Sequence, residues 1–197
     1  AALYQVKTST RDAVAAWNQL GCLSPHAFYV EFGGNASPDQ FAEALAGALD
    51  QREETEPRGP VSTDIAASIA SRRAFYEVRA AHSPETRHWF SKESTAWTVI
   101  YEADGRFPIS CLNRFIYVKS IANLTEALQG ADAVRDRVST VGLAAPEHRA
   151  REIALKLAQW GVTRICPLGQ MQKPSLTWRH DGRPSLGDLV TWTDWEQ

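Results

Sequence analysis

VSTVGLAAPEHRAREIALKLAQWGVTRICPL, residues 138–168, contains a strand, a helix and a strand in succession. VSTVGLA (138–144) is a short apolar run that reads as a buried strand. Pro146 opens a helix that runs through Trp160, with Ile153, Leu157 and Trp160 on one face and Gly161 just past its end. VTRICPL (162–168) is a second strand. The same alternation extends outward in both directions. RDAVAAWNQL (11–20) predicts a helix through Val14, Trp17 and Leu20, broken by Gly21, and AFYVEF (27–32) predicts a strand ending at Gly33-Gly34. Ser37-Pro38-Asp39-Gln40 supplies an N-cap, a proline at N1 and a capping-box glutamine for a helix carrying Phe41, Leu45 and Leu49. QREETEPRGP (51–60) is charged and proline-broken, and predicts an exposed loop. A helix over 63–81, strands over 95–103 and 114–121, and a short helix capped by Asn123 and ended by Gly130 follow. Strands alternating with helices predict an α/β domain built on a largely parallel, twisted sheet, with residues 1–197 as one domain.

Composition narrows the function classes. Hydrophobic residues make up 44% and charged residues 22%, which excludes a disordered or fibrous chain. With 21 basic and 23 acidic residues the net charge is −2, so there is no basic surplus to neutralise phosphates, and nucleic acid is not an expected partner. No apolar run reaches the roughly 18 residues of a membrane span. Cys22, Cys111 and Cys166 form no CxxC pair, which argues against a structural zinc site and for a reducing, cytoplasmic setting. The first residues, AALYQVKTST, show neither a signal-peptide core nor an initiating methionine, so the chain reads as processed or as a piece of a longer protein.

Three groups of residues could carry chemistry. Cys22 stands between Gly21 and the Ser24-Pro25 turn, where backbone can expose a thiol and present N–H groups to an oxyanion. A small buried hydrophobe is the ordinary role of a free cysteine, and core packing is expected for Cys111 and Cys166. His26 could act as a base or as a structural hydrogen-bonder at a strand start, whereas His82 and His88 lie in the polar connector AAHSPETRHW (80–89) and His148 on a helix surface. TWRHDGRPSLGDLVTW (177–192) gathers Trp178, Arg179, His180, Asp181 and Arg183 in a Gly/Pro-rich loop, which could line a site or be a surface loop pinned by a turn at Asp181-Gly182. Neither GxGxxG nor GxxxxGK[ST] occurs.

WNQLGCLSPHAFYVE (17–31) resembles the nucleophile region of the LuxC-type acyl-CoA reductases, the fatty-acid reductases related to the aldehyde dehydrogenase superfamily. RICPLGQMQKPSLTWRHDGRPSLGDLVTWTDWE (164–196) is the more specific likeness, through R-[IV]-x-P-x-G-x-M, W-x-H-D-G-R and L-x-D-L-V-x-W. The resemblance covers nearly the whole chain and implies an aldehyde dehydrogenase-like catalytic domain, the C-terminal part of a longer reductase. It implies that Cys22 accepts the acyl group of an acyl-CoA or other acyl thioester, and that NADPH, bound mainly by a domain preceding these residues, reduces the resulting thioester to an aldehyde. Trp178, His180 and Asp181 become candidates for lining the substrate site, and a homo-oligomer is implied. Two other readings remain open: a cofactor-independent cysteine acyltransferase or thioesterase using His26 or His180, and a non-catalytic assembly module.

Overall fold

The computed structural model describes residues 2–184, 187–191 and 193–196. Helix α1 (Ala2–Ala15) leads through a tight turn to strand β1 (Ala27–Glu31), followed by helices α2 (Pro38–Thr55) and α3 (Thr63–His82). Strands β2 (Thr86–Phe90), β3 (Thr98–Glu102) and β4 (Phe115–Ile121) come next, then helix α4 (Leu124–Gly130), strand β5 (Thr140–Leu143), helix α5 (Glu147–Trp160) and strand β6 (Arg164–Pro167). The principal sheet has the order β1-β4-β3-β2. Its first three strands are parallel, with Phe28 opposite Val118 and Val99 opposite Ile116, and β2 adds an antiparallel edge on β3. Strands β5 and β6 form a separate parallel pair, as expected for the unit at 138–168. The protein is therefore α/β with a mostly parallel sheet flanked by helices.

Period-2 alternation distributes side chains to two layers. Val99, Tyr101, Ile116 and Val118 face Phe41, Leu45 and Leu49 of α2 and Val14 of α1. Ile100, Phe115 and Tyr117 face Ile69 and Tyr76 of α3. Strand β4 is buried along its whole length because it lies between two strands and under helices on both faces. A third cluster around Leu157, Trp160 and Val162 reaches Tyr29 of β1 and Phe107, and so joins the β5–β6 pair to the principal sheet. At the C-terminal ends of β3 and β4, Lys119 places its ammonium 2.7 Å from both Glu102 and Asp104, while Arg79 of α3 lies 3.0 Å from the other Glu102 oxygen. Two cations against two carboxylates keep this buried charge compensated.

Several local expectations hold. Ser37 and Gln40 form the reciprocal capping box, Asn123 accepts from the Glu126 N–H, and Gly161 takes the left-handed conformation after α5. Four are corrected. The helix expected over 11–20 ends at Ala15, because Trp17 and Asn18 leave the helical region. The loop expected over 51–60 is helical through Thr55, since Gln, Arg and Glu are good helix formers, Arg52 and Glu56 pair one turn apart, and the restriction before Pro57 ends the run. The connector holding His88 contains strand β2, whose Trp89 packs toward the α2 layer; His88 is half-buried and stacks on Phe90 at 5.2 Å. Strand β5, expected buried, is only half-buried, as suits one strand of a two-stranded sheet.

Candidate active site

Cys22 lies in a turn closed by the Ser24 N–H donating to the Gly21 carbonyl at 2.9 Å, just ahead of β1. Its side chain is exposed, whereas Cys111 and Cys166 are partly covered. Cys111 packs against the cluster of Phe115 and Tyr117, in the core-facing role expected of it. Cys166 turns its thiol toward the Val141 carbonyl at 3.8 Å, and burial raises its pKa, which disfavours the thiolate. Of the three, Cys22 has open approach for a substrate.

The backbone entering this turn is unusual. Trp17, Asn18 and Gln19 have φ of 53°, 51° and 64°, three successive residues in the left-handed region without a glycine among them. That conformation costs roughly 1–2 kcal/mol per ordinary residue, somewhat less for asparagine, and persists where surrounding contacts over-determine it. The contacts are present. Asn18 donates from its amide to the Arg58 carbonyl at 3.0 Å and accepts from Arg114 Nε at 3.0 Å. Gln19, fully buried, donates to the Pro25 carbonyl at 2.7 Å. Arg114 is itself buried, ends a second left-handed run over Leu112, Asn113 and Arg114, and donates to Glu53 Oε2 at 2.8 Å and to the Glu56 carbonyl at 3.0 Å. Glu53 also accepts from the Arg58 N–H, and the Arg58 guanidinium reaches the Thr95 carbonyl at 2.6 Å. Burial lowers the pKa of both arginines and Glu53 opposes that shift, so the network keeps its charges in partial exclusion from water. These contacts bring together the N-terminal ends of β1, β3 and β4, where the Cys22 turn sits.

The chain leaving the turn is held by other groups. Ser24 is buried and its hydroxyl accepts from Gln172 Nε2 at 2.8 Å. His26 accepts the Ser110 N–H at Nδ1, 3.2 Å away, and its carbonyl accepts the Tyr117 N–H, an addition to the β1–β4 ladder. Accepting at Nδ1 assigns the neutral ring its proton at Nε2, and burial lowers the pKa. His26 is thus a structural hydrogen-bonder at the strand start.

Trp178, His180 and Asp181 form a group of their own. The Trp178 and His180 rings lie 4.6 Å apart, Arg164 of β6 stacks its guanidinium 5.2 Å from the Trp178 ring, and His180 Nδ1 is 3.0 Å from Asp181 Oδ2. His180 and Asp181 are exposed, and Asp181 stands beside Arg137, Ser139 and Thr163 at the N-terminal ends of β5 and β6. Among the described residues, Gln172, a few positions upstream of that group, reaches the Cys22 turn with its side chain. Sequence reasoning passed over it, and also over Arg114, Glu53 and Arg58. Two signals were present: Arg114 stands directly before the apolar run FIYV of a strand, and Gln172 immediately follows the R-[IV]-x-P-x-G-x-M motif.

Among the described residues, no group of three or more His, Cys, Asp or Glu side chains is arranged to hold a metal ion. The N-terminus of α2, which follows β1, is capped by its own Ser37 and Gln40 and carries the Asp39 carboxylate, paired with Arg87. A carboxylate there repels a pyrophosphate.

Among the described residues, no helix is long and apolar enough to cross a membrane. No curated protein matches the chain significantly. The family described as acyl-CoA reductase (LuxC) matches residues 1–192, nearly the whole length, and does so over both the Cys22 turn and the segment that carries Gln172. The chain therefore belongs to the acyl-CoA reductase (LuxC) family.

Proposed function

We propose that this chain carries the acyl-transfer site of an NADPH-dependent acyl-CoA reductase, with Cys22 as the nucleophile. The observation that carries this reading is an exposed thiol on a turn whose strained entry is locked by buried polar contacts. The Cys22 thiolate attacks the carbonyl carbon of the acyl thioester. A bond forms between that carbon and Sγ, and the carbonyl oxygen takes up the negative charge of the tetrahedral intermediate. Backbone N–H groups of the turn stabilise this charge. The Ser24 N–H is already committed to the Gly21 carbonyl, so the donors assigned are those of Cys22 and Leu23. Collapse breaks the bond to the CoA sulfur, which leaves as a thiolate and takes up a proton from water. Cys22 then holds the acyl group as a thioester, still electrophilic enough for reduction to the aldehyde.

The capped and acidic N-terminus of α2 does not suit a pyrophosphate. NADPH, and with it the reductive half of the reaction, is therefore assigned mainly to residues outside those described. A reducing cytosol suits a catalytic thiol. A cofactor-independent thioesterase using His26 as base is disfavoured, since the His26 acceptor nitrogen is spent on Ser110.

The test is intact-mass spectrometry after incubation with acyl-CoA, with NADPH omitted, followed by peptide mapping. One hydroxylamine-labile acyl adduct on Cys22 is expected. In the full-length protein Cys22→Ala is expected to lower NADPH-dependent aldehyde formation by about a thousandfold or more, the scale of losing a covalent nucleophile. Full activity in Cys22→Ala overturns the assignment.

A further inference from the structure

We propose that Gln172 is a positioning residue for Cys22: its side-chain amide braces the Gly21–Ser24 turn and fixes the direction in which the thiol meets the acyl carbonyl. The proposal rests on the assignment of Cys22 as nucleophile.

Gln172 touches the turn on both sides of the cysteine. Its Nε2 donates to Ser24 Oγ at 2.8 Å, a bond between residues 148 positions apart. Its Oε1 lies against Gly21: a methyl group added there would stand 3.3 Å from Oε1 and 3.4 Å from both Ser24 Oγ and Trp17 Cδ1. Such a fit leaves Gly21 little room for a side chain and ties the amide to the two residues that bracket Cys22 and Leu23.

The loop that presents Gln172 is itself fixed. Arg164 donates to the Met171 carbonyl at 2.8 Å and to the Gln170 carbonyl at 3.0 Å. Met171 is buried over Gly142 of β5, where a methyl group would come within 2.9 Å of its sulfur. Gly169, with φ of 86°, lets the backbone lie against Ser9 of α1, whose Cβ is only 2.8 Å from where a side chain would begin. The Lys173 N–H donates to the Gln170 carbonyl and closes the turn. The conspicuous R-[IV]-x-P-x-G-x-M pattern thereby acquires a physical role. Its arginine, glycine and methionine build a rigid arm, and the next residue delivers an amide to the Cys22 turn.

The Gln172–Ser24 link is a single hydrogen bond, a small share of what holds the fold. Orientation is more sensitive, because a misplacement of about 1 Å at a reacting atom can cost as much as 10²-fold in rate.

The experiment compares two reactions of Cys22 in the full-length protein: acylation by acyl-CoA with NADPH omitted, and alkylation by iodoacetamide, a small reagent with weak orientational demand. Gln172→Ala and Ser24→Ala are each expected to slow acylation by about 10- to 100-fold while alkylation stays within about twofold. The double variant is expected to be no slower than the slower single one, since both remove the same link. Gln172→Met, which keeps the volume without the amide, serves if the alanine variant does not fold. Acylation within about threefold of the parent in Gln172→Ala or Gln172→Met overturns the proposal. A parallel fall in acylation and alkylation also overturns it, because that is general loosening of the turn. Absence of any Cys22 adduct in the unsubstituted protein removes the nucleophile itself, and Gln172 with it. Normal acylation at Cys22 that is indifferent to Gln172 removes only this proposal.

Discussion

The chain enters the Cys22 turn through Trp17–Gln19 and leaves it through Ser24–His26, and these two flanks are held by different chemistry. On the entering side, Asn18 bonds to the Arg58 carbonyl and to Arg114, each at 3.0 Å, Gln19 donates across the turn to the Pro25 carbonyl at 2.7 Å, and Gln19 and Arg114 are buried. None of these groups titrates near neutral pH, and together they impose a backbone that the residues would not choose alone. On the leaving side, beyond the Gln19 bond to Pro25 and the Tyr117 bond to the His26 carbonyl, the side-chain restraints are the Gln172–Ser24 bond and the neutral ring of His26. The difference separates a stiff, stability-bearing support from a lighter one that can affect reactivity and respond to pH without threatening the fold.

The largest effect should come from breaking the entering side at its centre. Arg114→Met removes the donor to Asn18, Glu53 and the Glu56 carbonyl in one step. Deleting one member of a buried ion pair costs about 3–5 kcal/mol. The lower part of that range is expected, because Glu53 is a quarter exposed and keeps the Arg58 N–H. A urea midpoint that moves by the equivalent of less than about 1 kcal/mol contradicts the central role given to Arg114.

A smaller effect sharpens the claim about strain. Asn18→Gly and Asn18→Ala lose the same side-chain bonds, yet only glycine accepts a φ of 51° without penalty. The glycine variant should therefore be the more stable of the two by about 1 kcal/mol, opposite to the order of helix propensity. The reverse order, measured by thermal or urea unfolding, places residue 18 in an ordinary helical conformation.

The contrast between the flanks also explains what could be read in the sequence. The capping box at Ser37, the Asn123 cap and the Gly161 stop are local, and each signal lies within a few residues of its effect. Strands β1, β3 and β4 of the principal sheet were legible for the same reason, since aromatic and β-branched runs such as FIYVKSI describe their own burial, whereas the edge strand β2 is polar and reads as a connector. Cys22 stood out because Gly21 and Ser24-Pro25 mark a turn. The left-handed entry did not, since Val14, Trp17 and Leu20 keep helical spacing while the contacts that overrule it come from residues 58 and 114. Trp178, His180 and Asp181 were legible as a cluster, and they are one. Gln172 was not, because its partner lies 148 residues away and no local pattern encodes the pairing.

The smallest predicted effect belongs to the leaving side and distinguishes the flanks by pH. Burial holds the His26 pKa below its ordinary value of 6.5. Above pH 6.5 the ring is neutral in the folded and unfolded chains alike, and the Ser110 N–H keeps its acceptor. As pH falls below 6.5, the unfolded chain takes up a proton that the folded chain resists, so stability is lost on the way down to the folded pKa. The slope from one such group cannot exceed about 1.4 kcal/mol per pH unit. His88 on β2, lowered by burial and by Arg73 against an opposing Glu77, adds a second contribution of the same sign. His26→Gln should therefore flatten, without abolishing, the decline in unfolding free energy between pH 6.5 and about 5. Arg114→Met, destabilised far more, should keep the parent slope in that window. Parallel slopes for His26→Gln and the parent show that the ring is not held neutral at the start of β1. A slope altered by Arg114→Met instead shows that the two flanks are coupled and share one titrating support.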